Sequence, residues 1–599
     1  MASVAEIDGL TISGGAPAVP SPAAAYSVRL LDSAVGISSY TGAAMRVRRE
    51  TAGGTGDDDE ADIAFDSGVI SLDSAISNAS ALVTATTLGQ FLNVGTVNGT
   101  TYTNPDSLTV TASCFVDEWK DQSGNANHAE QTTNGSQPQI HSGTVNTDLI
   151  LENGKPALST NGSQYLTYST ISFASDLCFV NVQTAQVSDA GYGGTSGNFG
   201  SYFVTTTRMR WRFTGSDSDL LNFPAATAGD QYTSFANRAS GTMTMYYNGV
   251  TYGSPSTNTG TATFTQLMAG NGTGSLGLDG NSQEIIFWDS DQSSNRTGIE
   301  TNINSDYLIY QPTDQPTSGL LYDYGSATGG TDAAAAYSVR QLSDKAVICM
   351  RIRRDMGAGN PGDDDETNIG FDANGDLDTQ AISDFCGTGT GFVTRWWDQS
   401  VNGNHLDQPV GGTGSNSLQP QIYNGTAVIT ENGKPALSFD GVLDQFPIDN
   451  TGLDIGNLSV FIVTKHNTTS QTSIVLSMSG GTSPTNKRWY VGYQDLGDFN
   501  FGYASVSKAV STTATTDQQL STMIAGTTQG NMSAFIDGSL IGTATRDTGI
   551  SSDQQAALGT FNNQFYANAK VQEFIYWSAD QSTNRTGIET NVMTHFNIP

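Results

Sequence analysis

Cysteine and positive charge are both scarce in this chain. Four cysteines, Cys114, Cys178, Cys349 and Cys386, are spread over 599 residues. A disulfide framework would be denser and more regularly spaced. No CxxC pair occurs, which argues against a zinc site, and free, buried thiols are expected. Lys and Arg together number 25 against 58 Asp and Glu, for a formal net charge of −33. Such a chain repels nucleic acid and anionic membranes. The acidity suits solubility alone, a salty medium, or divalent cations. No apolar run approaches the ~18 residues of a membrane-spanning helix. The first twenty residues, MASVAEIDGLTISGGAPAVP, lack the basic and apolar segments of a secretory signal, so synthesis in a cytoplasm without an export address is expected. GxSxG, HExxH and Walker A patterns are absent too.

What is abundant points to β-structure. Glycine numbers 67, and Thr, Ser and Asn fill the gaps between short apolar runs. That is the look of an all-β protein with many turns. With 37% hydrophobic and 9% aromatic residues the chain can bury real cores. Its length exceeds what one core supports.

The chain is also duplicated. WKDQSGNANH at Trp119–His128 returns as WWDQSVNGNH at Trp396–His405, and ENGKPALS at Glu152–Ser159 returns at Glu431–Ser438. Further strings recur in the same order: AAAYSVRL and AAAYSVRQL, MRVRR and MRIRR, GDDDE twice, QEIIFW and QEFIYW, NRTGIETN twice. Six of the seven tryptophans form equivalent pairs, Trp119/Trp396, Trp211/Trp489 and Trp288/Trp577; only Trp397 has no counterpart. A period this long means two copies of one large module, not a solenoid.

Read in order, residues 1–20 form an extended arm for attachment. Module A covers 21–310, a Pro- and Gly-rich linker 311–330, and module B 331–599. Ala23–Leu31 reads as a short helix and Met45–Arg49 as a strand. Residues 67–113 read as a mixed helix-and-loop insertion that module B shortens to 373–391. Matching strands follow at Leu177–Val182 and Leu458–Thr464, and around Trp211 and Trp489. Asn248-Gly249 and Asp537-Gly538 mark type I′ hairpins. Closing strands at Glu284–Trp288 and Glu573–Trp577 each lead into a helix with Ile299 and Ile303, or Ile588 and Val592, on one face. The fold class is therefore mainly β: two tandem jelly-roll sandwiches, each with an irregular N-terminal extension containing short helices.

The order strand, NG/DG hairpin, strand, QEIIFW resembles a concanavalin A-like, laminin-G-like sandwich. AAAYSVR, MRVRR, WxDQSxNxNH and NGKPALS resemble the catalytic-domain family of arabinofuranosidase B, glycoside hydrolase family 54. They equally resemble concanavalin A-like proteins of bacteriophage virions, which often end in NRTGIETNI. The resemblance spans nearly all of Ala23–Pro599. It implies a virion structural protein on the particle surface, as fibre, tail or capsid decoration, with lectin-like modules that bind host-surface glycans. The implied partners are other virion subunits, docked through residues 1–20, and further copies of the chain. Two alternatives stand: a glycoside hydrolase of arabinofuranosidase type, and a bacterial lectin-like surface adhesin. No segment here matches the one carrying the hydrolase family's nucleophilic glutamate, so the leading expectation is a non-enzyme that needs no cofactor. Fold alone does not carry activity.

Candidate residues carry two readings each. Trp119, Asp121, Asn127 and His128, with Trp396, Trp397, Asp398, Asn404 and His405, are candidates for glycan binding. The simpler reading is an Asx-rich turn whose side chains bond their own backbone. Asp57, Asp58 and Asp59, with Asp363, Asp364 and Asp365, offer oxygens to calcium. The simpler reading is a network with the arginines of MRVRR and MRIRR. Were the chain a hydrolase, Asp121 with Glu152 and Asp398 with Glu431 would be its carboxylates. Trp211, Trp489, Trp288 and Trp577 read as core.

Overall fold

The structure, a computed structural model, describes residues 18–599 except 55–56, 81–82, 107, 186–193, 196–197, 206–207, 213–217, 223–229, 258, 270–276, 331, 359, 361, 409–415, 449–457, 480–488, 496–497, 504–509, 526–531, 545–554, 562 and 564; in the strands between 194 and 222 only the backbone is described. The chain divides into two compact units, Met1–Tyr307 and Leu308–Pro599. Most of the expected arm, residues 1–17, lies outside the described residues, as do the side chains of Trp211 and Trp489.

Ten strands carry the argument in unit 1: β1 (Ala24–Ser27), β2 (Met45–Glu50), β3 (Ser113–Trp119), β4 (Gln139–Ser142), β5 (Leu158–Asn161), β6 (Leu177–Ala185), β7 (Gln231–Ala239), β8 (Thr242–Tyr247), β9 (Val250–Thr257) and β10 (Asp279–Trp288). Their counterparts in unit 2 are β11 (Ala335–Ser338), β12 (Met350–Asp355), β13 (Thr390–Trp396), β14 (Gln421–Tyr423), β15 (Leu437–Asp440), β16 (Leu458–His466), β17 (Gln519–Ala525), β18 (Met532–Ile536), β19 (Ser539–Ala544) and β20 (Asn568–Trp577). The main sheet of unit 1 runs β9-β8-β7-β6-β10-β5-β4-β3-β2, and that of unit 2 repeats the order as β19-β18-β17-β16-β20-β15-β14-β13-β12. The neighbours in these sheets are antiparallel. The fold is mainly β, as the composition implies. The N-terminal part of each module is more ordered than its composition suggests, because β2 to β5 and β12 to β15 extend the same sheet.

Two corrections concern local structure. Ala23–Leu31 is not a helix. Ala24–Ser27 is the strand β1, buried at every residue and paired with Glu284–Phe287 of β10. Tertiary pairing there overrides the helical preference of alanine. Residues 311–330 are not a free linker. Leu320 and Leu321 are 3% and 5% exposed in the core of unit 2, and the Leu321 N–H donates to the Leu342 carbonyl at 3.1 Å. Two adjacent leucines gain more by burial than a solvated tether would.

The middle strands are buried on both faces, and Leu458–His466 (LSVFIVTKH) accordingly reads as a largely apolar run rather than an alternating one. On the outer face lie the helices α1 (Arg296–Tyr307) and α2 (Arg585–Phe596), with Ile299 and Ile303, and Ile588 and Val592, fully buried. Arg296 lies over the Tyr246 ring and Arg585 over the Phe535 ring, at 4.1 and 4.0 Å, which seats each helix on its hairpin. The hairpins are type I′, with φ of 47° and 77° at Asn248-Gly249 and 49° and 74° at Asp537-Gly538. On the inner face a second sheet packs. In unit 2 it includes Ser473–Ser479, Trp489–Asp495 and Asp498–Tyr503. In unit 1 the corresponding backbone includes Asn198–Thr205 and Arg208–Arg212. Trp119, Trp288, Trp396 and Trp577 are fully buried. All four cysteines are free and buried, and burial pushes the Cys386 thiol up to about 12.

Candidate functional site

The repeated strings interlock with one another. Asp121 is 1% exposed. Its Oδ1 accepts from the N–H groups of Ala25 and Ser123, both at 2.9 Å. Its Oδ2 accepts from the Ser123 hydroxyl at 2.8 Å and the Asn127 N–H at 2.9 Å. The Asp121 N–H donates to Nδ1 of His128 at 3.0 Å. The Asn125 and Asn127 amides donate to the carbonyls of Pro22 and Ala23. Gln122 donates to the carbonyls of Ser27 and Arg29, and the Trp119 indole donates to Ser27 as well. The cassette is thus a clamp on β1. Asp398 repeats it: it accepts from Ala336, Ser400 and Asn404, and its own N–H donates to His405. Burial pushes the Asp398 carboxyl up against the pull of these bonds, and burial holds His405 down near about 4.

The other strings serve the same framework. Arg29 and Glu284 form a buried pair at 2.7 Å, Arg340 and Glu573 one at 2.8 Å. Gln283 and Gln572 donate to the carbonyls of the NGKP turns. The acidic loops are held by arginine and backbone: Asp58 by Arg48, Asp59 by Arg49, Asp364 by Arg353 and Asp365 by Arg354, at 2.6–2.8 Å. Asp57 accepts from the Thr51 and Gly53 N–H groups, and Asp363 from that of Met356. Among the described residues no group of three or more His, Cys, Asp or Glu is placed to hold a metal ion.

Of the glycan candidates, Trp119, Asp121, Trp396, Trp397 and Asp398 are buried within the clamp, while Asn127, His128, Asn404 and His405 are partly exposed and bonded into it. Trp119 and Trp396 are 0% exposed. Trp397, the tryptophan without a counterpart, is 5% exposed, edge-on to the His405 ring at 4.4 Å and under the Arg395 guanidinium. The carboxylate pairs are also apart. Asp121 holds Ala25, which pairs with Ile286, while Glu152 accepts from Asn281 at 2.9 Å. Asp398 holds Ala336, which pairs with Ile575, while Glu431 meets Lys570 at 3.1 Å. In each unit the anchors are five residues apart on one strand, roughly 16 Å. Glycosidase pairs stand about 5–9.5 Å apart.

The inner sheet face near the start of β10 is different. In unit 1 it presents Asn181 and Gln183 from β6, Tyr232 and Ser234 from β7, Tyr247 from β8, Tyr252 from β9 and Ser282 from β10. The Ser234 hydroxyl donates to Asn181, whose amide donates to Gln183 at 2.6 Å. The buried Gln183 Nε2 and Ser282 Oγ have no partner among the described residues. A buried polar atom left so costs about 1–3 kcal/mol and calls for an explanation. Beside this chain the tyrosines form a ladder. Tyr232 stacks on Tyr247 at 5.4 Å and 26°, and Tyr247 meets Tyr252 edge-on at 6.4 Å. Tyr232 is buried, while Tyr247 and Tyr252 are partly exposed. Burial pushes the Tyr247 phenol up, and the charge of Asp230 adds to this. Asn181, Gln183, Ser234 and Ser282 are themselves buried, so the accessible edge of this face is Tyr247 and Tyr252, whose rings can stack on an apolar surface.

None of these residues stands out among the repeated strings, because the second copy lacks them. One signal was available. Tyr232, Tyr246, Tyr247 and Tyr252 crowd one stretch of 21 residues, and the matching stretch of module B, 519–542, has no tyrosine.

No family model matches the chain, and no curated protein matches it. Solved structures similar to it include an arabinofuranosidase complexed with arabinofuranosyl-α-1,2-xylobiose, at 18% identity and a TM-score of 0.35, covering 46% of this chain and 64% of that one. A GH54 α-L-arabinofuranosidase soaked with a cyclic sulfate inhibitor is 16% identical with a TM-score of 0.35, covering 46% and 65%. The chain thus spans less than two thirds of the length of these two. Trypanosoma rangeli sialidase is 8% identical with a TM-score of 0.27, covering 80% of this chain and 68% of that one.

Proposed function

We propose that this chain is a non-enzymatic, glycan-binding structural protein displayed on the surface of a bacteriophage particle, with unit 1 as its binding module. The tyrosine ladder beside the Asn181–Gln183–Ser234 chain carries the binding part of this reading. Planar rings stack on the apolar faces of sugars, and Tyr247 and Tyr252 are the partly exposed rings of the ladder, with the buried polar chain behind them. The framework strings support the virion part only through their resemblance to virion proteins, and residues 1–20 would then be the attachment arm. Many copies on one particle would turn low single-site affinity into avidity.

Binding is tested with the full chain on an array of defined oligosaccharides. Tyr252→Ala is expected to lower binding at least tenfold, and Leu540→Ala, at an exposed site of unit 2, to leave it unchanged. Equal binding by all three proteins would end the reading of unit 1 as the binding module. The virion part is tested by mass spectrometry of purified particles. Absence of the chain from them would leave the adhesin alternative.

A further inference from the structure

A groove lies on the outer face of unit 2. Its volume is about 610 Å³, within the roughly 300–1,000 Å³ of small-molecule sites. One wall is Tyr324, from the segment that the sequence marks as a linker. A Cβ at position 587 would collide with the Tyr324 hydroxyl, so Gly587 lets the ring lie against α2. Along α2, Thr586, Thr590 and Thr594 are exposed at four-residue spacing. That spacing sets their hydroxyls about 6 Å apart in one row. Asn591 lies beside them, and among the described residues its side-chain amide N–H groups make no hydrogen bond. Its carbonyl oxygen accepts from Arg340 at 2.8 Å.

The charges in the groove are matched. Arg340 is 8% exposed and bonds both oxygens of the buried Glu573. His595 closes one end, with Nε2 3.3 Å from Asp376, whose other oxygen takes the Lys434 ammonium at 2.9 Å. Burial, with Arg340 and Lys434 nearby, holds His595 neutral at ordinary pH. The groove thus offers one ring, a row of hydroxyls and an amide, and no surplus charge for an anion.

Unit 1 shows what the wall adds. Thr297, Thr301, Ser305 and Asn302 repeat the row on α1. Asp306 replaces His595, 3.8 Å from Lys155. A Cβ at Gly298 would have nothing within 4 Å among the described residues. The row is common to both copies, and the aromatic wall comes from the segment between them.

We propose that this groove is a second binding site, for a neutral oligosaccharide, with Tyr324 as the stacking ring and the threonine row with Asn591 as its hydrogen-bonding edge. It shares no residue with the tyrosine ladder of unit 1, so the two sites stand or fall separately.

The test uses the full chain carrying Tyr252→Ala, which isolates the second site, on an array of neutral and sialylated tetrasaccharides. Neutral probes are expected to bind this protein. Adding Thr590→Arg, on the exposed row, or Tyr324→Ala should lower that binding at least tenfold, while Thr301→Arg on α1 should not. Unfolding temperatures of the Thr590→Arg and Thr301→Arg proteins should agree with their parent. No neutral binding in the Tyr252→Ala background, binding only of sialylated probes, or binding indifferent to Thr590→Arg would each overturn the site. Full binding by Tyr252→Ala that Thr590→Arg abolishes would overturn the unit 1 reading and uphold this one.

Discussion

The two units share a framework and differ on the inner sheet face. Asn181 of unit 1 is replaced by Ile462 in unit 2, Gln183 by Thr464, Ser282 by Val571, Tyr232 by Gln519 and Tyr247 by Ile536, each read from strand pairing. Tyr252 falls opposite Gly542, where a Cβ would stand 3.2 Å from Val510. In unit 2 Val510 of the second sheet lies against this face at Gly542. In unit 1 the same face keeps polar groups that packing alone would not select. Duplication followed by divergence separates what the fold needs from what one copy does, because the framework strings persist where the inner face has changed.

The most direct way to break the comparison is through the framework itself. Arg29→Met and Arg340→Met each leave a glutamate uncompensated in the core, Glu284 at 0% and Glu573 at 1% side-chain exposure. Each should lower the stability of its own unit by about 3–5 kcal/mol. Chemical denaturation of the full chain should show two transitions, each variant moving one. A large effect in one unit and none in the other would mean that the framework is not shared energetically.

The next effect belongs to unit 2 alone. His466 is fully buried, its Nδ1 3.1 Å from the Ser473 hydroxyl, and its ring 4.0 Å from that of Tyr493. Burial pushes it down to about 3 from an ordinary 6.5. Below pH 6.5 the unfolded chain binds a proton there that the folded unit does not. Its stability contribution is therefore complete above about pH 6.5 and is lost as pH falls toward 3. At pH 4.5 the loss is about 2.7 kcal/mol at 1.36 kcal/mol per pH unit. His466→Phe should flatten the fall of unit 2 stability between pH 6.5 and 4.5. Asp444, pushed up to about 7 mainly by burial, works in the opposite sense and is common to both proteins, so the difference between them isolates His466. An unchanged slope would remove this contrast between the units.

The framework was legible because its chemistry is local in kind and repeated in sequence. WxDQSxNxNH reads as an Asx-rich turn, and it is one. What the string did not disclose is that Asp121 reaches 96 residues back to hold Ala25. β1 itself was misread because AAAYS carries helical preference and only its pairing with β10 makes it a strand. The inner face was hidden for another reason. Asn181, Gln183 and Ser234 are ordinary strand residues one by one, and only strand register brings them together. Leu320 and Tyr324 were read as linker because Pro and Gly surround them, although LLYDY carries apolar residues that a tether has no use for.

A smaller effect sharpens the functional side. Tyr252 is partly exposed at the end of the ladder, so Tyr252→Ala should lower glycan binding at least tenfold, about 1.4 kcal/mol. The change in unit 1 stability should stay near or below 1 kcal/mol. Gln519→Tyr on the matching strand of unit 2 should confer no binding, because Ile536 and Gly542 leave the ring without a ladder. Gain of binding from that one substitution would show that the ladder is not the determinant.

The smallest effect tests whether the polar face is kept at a cost in stability. Ser282 Oγ is buried and has no partner among the described residues, and the matching residue of unit 2 is Val571. In Ser282→Ala the unmet hydroxyl disappears and little volume is lost. Unit 1 should become more stable by about 1 kcal/mol. Residues selected for packing alone do not behave so, whereas residues at a binding site commonly do, because stability and function draw on the same positions. The measurement is the unit 1 denaturation midpoint at constant m-value, paired with oligosaccharide affinity. Higher stability with weaker binding places Ser282 at the site. Higher stability with unchanged binding makes it a packing defect and confines the site to the tyrosine ladder.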